Sequence, residues 1–188
     1  MEIFLVRHTT VKNCDNLCYG QSEVPLADTF QKEVEQIKNK IPIHCFDAVF
    51  SSPSERCTSL AAALNFNPIF FNHHLLELNF GDWEQKKWND INSKELNLWM
   101  SDFVNRKPPN GEKLLELFHR VKLFFDDLRK ENFNQVLIIT HAGVIRCFLA
   151  YILEMPLKNI FKISIDYGQI VNAVLSKENF KDVLKINY

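Results

Sequence analysis

Four side chains in this sequence sit where phosphate chemistry could be done. Arg7 and His8 follow the apolar run EIFLV, His141 follows the apolar run VLIIT, and Arg56 comes a few residues after DAVF, in the first turn of the helix-like segment SERCTSLAAAL. Guanidinium groups offer planar, permanently charged donors matched to phosphate oxygens, whereas an imidazole can donate a hydrogen bond, accept a proton or attack. An arginine in a helix's first turn also lies beside backbone N–H groups that favour anions. Taken singly, each residue reads plainly as a surface charge or a packed histidine. Their arrival together at three strand ends points instead to a local anion pocket, because the chain as a whole carries 22 Lys plus Arg against 23 Asp plus Glu. Without a net positive field, no nucleic acid or anionic membrane is expected as a partner, and a small phosphorylated metabolite is.

The elements that must position these groups follow from hydrophobic periodicity. Residues 2–6 and 136–140 are continuous apolar runs, as in strands buried on both faces of a sheet. Residues 47–50 and 69–71 read as further strands, and Ser52 is a candidate cap before Pro53 at a first helical position. The segments 28–40 (with Asp28 as cap), 93–105 and 111–131 have helical spacing, as does VIRCFLAYIL up to Pro156. Near the C-terminus, IVNAVLSK and DVLKIN flank Glu178, Asn179 and Phe180 and read as an antiparallel pair. Strands alternating with helices predict an α/β fold, a three-layer sandwich with a mostly parallel central sheet and helices on both faces. Its ligand site is then expected beyond the C-terminal strand ends.

Length and composition agree with one domain over 1–188, with 84–112 as a candidate lid segment: 46% of residues are hydrophobic and 24% charged, ordinary values for a globular chain. Trp83, Trp88 and Trp99 could line such a lid or pack onto the body. The opening run is cut by Arg7 before it reaches signal-peptide length, and no run approaches the roughly 20 apolar residues of a membrane helix. Five scattered cysteines suit reduced thiols, so a cytoplasmic location is expected. A zinc site from Cys14, Cys18, His44 and Cys45 departs from the usual paired spacing, and no metal or cofactor is expected. His73, His74 and His119 are read as exposed.

Four segments, in order, resemble the histidine phosphatase superfamily: LVRHTT its nucleophile signature, SSPSERCTSLA its second phosphate-binding arginine segment, LLELNFGDWE its acid segment, and ITHAGVIR its second histidine segment. The resemblance implies a phosphoglycerate mutase-like fold and a phosphohistidine intermediate. It makes His8 the nucleophile, Arg7, Arg56 and His141 the phosphate-binding groups, and Glu77 the proton donor. It also offers Asn13, Gly20, Gln21 and Ala142 as substrate contacts. Thr9 stands where the family usually has Gly, and Asn13 is one residue out of register with the family's phosphate-touching Asn. CYGQSEVPLAD and LLELNFGDWE are most similar to α-ribazole phosphatase members of the superfamily.

The chemistry implied is self-consistent. The attacking nitrogen of His8 must carry a lone pair, and neighbouring arginines disfavour its protonated form while attracting a phosphate dianion. A carboxyl beside that dianion keeps its proton through like-charge repulsion and can pass it to the departing alkoxide. Glu84 is a second candidate acid, against its plainer reading as a surface residue at a helix start. A broad-specificity phosphatase, a phosphoglycerate mutase and a non-catalytic phosphate-binding module are the competing readings, and a homodimer is left open.

Overall fold

The computed structural model describes residues 1–12, 16–42, 46–178 and 181–185. Its centre is β1 (Glu2–Arg7), flanked by β4 (Gln135–Thr140) in parallel and β5 (Ile170–Val174) antiparallel. Outward from β4 lie β2 (Ala48–Ser51) and β3 (Phe70–Phe71), both parallel, and β6 (Val183–Lys185) closes the other edge antiparallel to β5. The order is therefore β3-β2-β4-β1-β5-β6, a mostly parallel sheet.

Alternation along the two central strands explains why they are apolar throughout. Ile3, Leu5, Val136 and Ile138 pack on one face against α4 (Leu114–Leu128) and α5 (Ala142–Ile152). Phe4, Val6, Leu137 and Ile139 pack on the other against α1 (Phe30–Lys38) and α2 (Glu55–Ala63). Successive strand residues point to opposite faces, so a strand covered on both sides needs an apolar residue at every position. The expected α/β sandwich is the observed one. No helix among the described residues is long and apolar enough to cross a membrane.

The helices are shorter than their apolar patterns. The predicted 28–40, 93–105 and 111–131 become Phe30–Lys38, Ser93–Ser101 (α3) and Leu114–Leu128. Thr29, not Asp28, stands at the start of α1, and the Asp28 carboxylate instead pairs with Lys12 at 3.1 Å. Helix α2 starts at Glu55 after Ser54, two residues later than Ser52–Pro53 suggests. The reason is local: the Ser52 N–H still donates to Ile139 O across the sheet edge, so Ser52 belongs to the strand end.

The central strands carry the core, so truncation there should be costly. Ile138→Ala, at a fully buried site, is expected to lose about 2–5 kcal/mol in urea unfolding. Phe70→Ala on the half-exposed edge strand should cost much less. Equal losses would contradict this placement of the core.

Candidate active site

The C-terminal ends of the parallel strands deliver the expected groups to one cavity. Arg7 ends β1 and His8 follows it, while His141 stands between β4 and α5. His8 N–H donates to Thr140 O (2.9 Å), so the two strand ends are locked in step. Arg56, in the first turn of α2, is fully buried and reaches both imidazoles. Its Nε donates to His8 Nε2 (3.3 Å), and its Nη2 donates to His141 Nδ1 (3.2 Å) and to Gly20 O (2.5 Å). Nη1 donates to Ser22 O (3.0 Å).

This network settles the tautomers, since a guanidinium only donates and a carbonyl only accepts. His8 Nδ1 faces Thr9 O at 2.8 Å and must carry the hydrogen, which leaves Nε2 with its lone pair toward Arg56. His141 accepts at Nδ1, and its Nε2–H donates to Ser52 Oγ (2.8 Å). Burial, then the Arg56 charge, holds both imidazoles well below the usual histidine range; Arg7 adds to the effect on each. Cys57, behind His141 with Sγ 3.6 Å from Nε2, is an inert thiol pushed up to about 12 by burial.

Arg7 is held differently. Its Nη1 donates to Ile165 O (2.6 Å), its guanidinium carbon lies 3.7 Å from the centre of the Tyr167 ring, and its buried Nε has no partner among the described residues. Tyr167 also approaches the His8 ring, with centroids 5.6 Å apart, and its hydroxyl meets that of Tyr19 at 2.5 Å. The Tyr19 ring lies 5.5 Å from the Arg56 guanidinium carbon. The two tyrosines thus bridge the two arginines.

Glu77 comes from the irregular segment after the short 3₁₀ turn His73–Leu75. Its Oε2 accepts the N–H of Gly143 (2.9 Å) in the first turn of α5, and its Oε1 accepts from Leu78 N–H (2.8 Å). A side chain at Gly143 would stand 2.0 Å from Oε1, so glycine is what admits the carboxyl to this helix terminus. Glu77, Arg7, His8, Arg56, His141 and Ala142 all line the same cavity of about 360 Å³. Gly20 and Gln21 do not line it. Gly20 supplies its carbonyl to Arg56, and Gln21 Nε2 donates to Glu77 O (3.0 Å). Asn13 lies outside the described residues, as do Cys14, His44 and Cys45.

Glu84 is neither a surface residue at a helix start nor a free acid. Its carboxylate accepts backbone N–H groups from Gly20 (2.9 Å), Gln21, Ser22 and Phe80 (each 3.0 Å). Burial alone would raise its proton affinity, but these hydrogen bonds outweigh it and hold the group below the usual carboxylate range. Its task is to fold segment 20–22, whose carbonyls hold Arg56. Trp83 and Trp99 are buried with Cys18 and Ile91, whereas Trp88 is half-buried and faces the cavity. Among the described residues, no group of three His, Cys, Asp or Glu could hold a metal ion. Cys18 is a buried thiol pushed up to about 12 by burial.

Residues 3–187 match the model of the histidine phosphatase superfamily, branch 1. The chain belongs to that superfamily. It is similar to the adenosylcobalamin/alpha-ribazole phosphatase of Escherichia coli (strain K12), with 26% identity covering 89% of this chain and 87% of the relative. It is also similar to phosphoserine phosphatase 1 of Hydrogenobacter thermophilus (strain DSM 6534 / IAM 12695 / TK-6), at 21% identity over 100% of this chain and 92% of the relative. Among solved structures, the alpha-ribazole phosphatase from Shigella flexneri superposes with a TM-score of 0.90 at 25% identity, covering 99% of this chain and 95% of that one. The chain is thus a phosphatase of the histidine type.

In this histidine phosphatase Thr9 replaces the usual Gly without a left-handed backbone. It is fully buried with its hydroxyl unpaired among the described residues, so the substitution fills space and does not bend the loop. Sequence reasoning missed Tyr167, Arg146 and Phe161, which also line the cavity. Arg146 closes the segment ITHAGVIR and Tyr167 lies beyond every motif segment, and only the fold shows which way they face.

Neutral buried imidazoles also set an acid limit on stability. In the unfolded chain His8 and His141 take up protons near pH 6.5, whereas in the folded chain they do so only well below it. The unfolded state therefore binds more protons in acid, and stability present above about pH 6.5 is lost as pH falls through the window beneath it. Urea unfolding from about pH 8 to about pH 5 should show this decline, and His141→Gln should flatten it. An unchanged slope in the variant would contradict the assignment.

Proposed function

We propose that this phosphatase transfers the phosphoryl group of a small monoester to His8 Nε2 and then hydrolyses the phosphohistidine. The observation that carries this reading is the His8 tautomer: Nδ1–H is tied to Thr9 O, and the Nε2 lone pair lies beside Arg56 in the cationic cavity. Attack forms the N–P bond and breaks the ester P–O bond, whose electron pair leaves on the alcohol oxygen. Glu77 gives that oxygen its proton. As phosphorus approaches Nε2, the Arg56 Nε–H is released to a phosphate oxygen, and Arg7 Nε is the second unspent donor. Water then attacks phosphorus, Glu77 takes its proton, and the N–P bond breaks with its electrons returning to Nε2. His141 orients Arg56 and lines the phosphate end of the cavity.

For the substrate we propose α-ribazole 5′-phosphate, in assembly of the cobalamin lower ligand. Beyond the cationic end, the cavity is walled by Leu17, Leu78, Phe80, Trp88, Ile160 and Phe161. Such a wall suits a leaving alcohol bearing a flat aromatic base. A second reading rests on Arg146, which lines the same wall. Its Nε donates to Ile163 O (2.8 Å), and although the Glu77 charge reaches it, no ion pair within 4 Å is formed among the described residues. A guanidinium with its Nη donors outside any ion pair favours an alcohol with its own carboxylate, such as phosphoserine or 3-phosphoglycerate.

A panel of α-ribazole 5′-phosphate, phosphoserine, 3-phosphoglycerate and fructose 2,6-bisphosphate, ranked by kcat/KM, separates the readings. The α-ribazole ester is expected to lead, and Trp88→Ala should lower its kcat/KM by about tenfold with little effect on phosphoserine. A lead for the carboxylate esters that Arg146→Met abolishes would favour the second reading. In all cases His8→Ala should abolish turnover and acid-labile labelling. With the charge carried by Arg7 and Arg56, a chelator should leave the rate unchanged.

A further inference from the structure

We propose that Arg120 is the positioning residue for Glu77, a role that rests on reading Glu77 as the proton donor. No helix or strand holds Glu77, which lies in the irregular chain between the 3₁₀ turns His73–Leu75 and Gly81–Trp83. Such a segment carries backbone carbonyls without ladder partners, and they must be satisfied from elsewhere. Arg120, in the middle of α4, satisfies three of them. Its Nη1 donates to His74 O (2.8 Å) and Leu76 O (2.6 Å), and its Nη2 donates to Glu77 O (2.9 Å).

The other donors are fixed as well. Nε donates to Glu112 Oε1 (2.7 Å) and Nη2 to Glu112 Oε2 (2.9 Å). A guanidinium has five N–H donors, and all five are accounted for. Glu112 is in turn tied to the same segment: its N–H donates to Asn79 O (2.8 Å), and its carboxylate accepts from Asn79 N–H (3.3 Å). The two side chains are only 17% and 16% exposed, so the pair is screened weakly and holds one geometry. The result is a planar fork gripping residues 74–79 from behind, with Gln21 Nε2 gripping Glu77 O from the other side.

The consequence is chemical. Glu77 must meet the leaving oxygen within hydrogen-bond reach, and an error on the order of 1 Å in such placement can cost about 10²-fold in rate. Arg120 touches neither substrate nor reacting atoms. Its charge also reaches His141, but a lysine keeps that charge, so loss of the fork acts through the placement of Glu77 and should appear only where the leaving oxygen needs a proton. Lysine cannot substitute, since three donors on a flexible stem do not reproduce the fork.

The test compares Arg120→Lys, Glu112→Gln, Glu77→Gln and the double variant Arg120→Lys/Glu77→Gln on an alkyl phosphate and on 4-nitrophenyl phosphate. The burst amplitude with the aryl ester counts competent His8 sites, so rates refer to folded enzyme only. Arg120→Lys should slow phosphorylation by the alkyl ester by about 10- to 100-fold, leave the aryl burst rate within about twofold, and add nothing to Glu77→Gln. Glu112→Gln should give the same pattern more weakly, and it carries the test where Arg120→Lys yields no competent sites. Equal slowing of both esters, or additive losses in the double variant, would overturn the proposal. A Glu77→Gln variant without leaving-group dependence would overturn it too, by removing the acid role itself.

Discussion

The structure depends on one buried charge. The Arg56 guanidinium is fully enclosed, and its nearest carboxylate, Glu23, is 3.9 Å away and half-exposed. Burying a cation without a close counter-ion is expensive, and the cost is tolerable only when its hydrogens all find acceptors. The carbonyls of Gly20 and Ser22 and the lone pairs of two imidazoles take four of the five, and Nη1 also faces the Glu23 carboxylate. The same arrangement sets the chemistry. Burial, and then a cation that donates to both histidines, keeps them neutral and leaves the pocket short of negative charge.

That demand reaches far along the chain. The carbonyls of residues 20 and 22 face Arg56 only because the Glu84 carboxylate gathers the N–H groups of the same turn from the other side. Gly20 is required at the crossing, since a Cβ there would stand 1.9 Å from Leu78 O and 2.8 Å from Glu84 Oε1. Segment 20–22 is thus pulled between a carboxylate and a guanidinium, each satisfying one half of its backbone. This is why a glycine and a glutamate 64 positions apart serve a site that neither enters.

How much of this the sequence displays depends on where each residue sits. Arg7, His8 and His141 are legible because an apolar run that stops at a polar residue marks a strand's C-terminal end, and parallel strands share that edge. Arg56 is legible because it follows a strand by a short turn. Glu77 has no such marker and enters only through resemblance. Glu84 is misread because its sequence neighbours place it on a surface turn, while its partners come from residues 20–22. Arg120 sits among ordinary helical charges and Arg146 is the one charge of an otherwise apolar helix, and only the packing of α4 and α5 against the acid segment and cavity shows what each meets. The overlong helix readings have a simpler origin: amphipathic spacing does not stop at the last turn, but the cap geometry does.

Glu77 shows how closely fold and reaction are coupled. Its carboxyl docks on the first turn of α5, the helix that begins immediately after His141. A helix N-terminus attracts a carboxyl group, so the backbone of α5 fixes the Glu77 side chain in the wall it shares with His8 and His141. Gly143 makes this possible by leaving the space that a side chain would fill. The same glycine keeps the α5 terminus open to the cavity, so the helix start that follows His141 also holds the Glu77 carboxyl at the cavity wall.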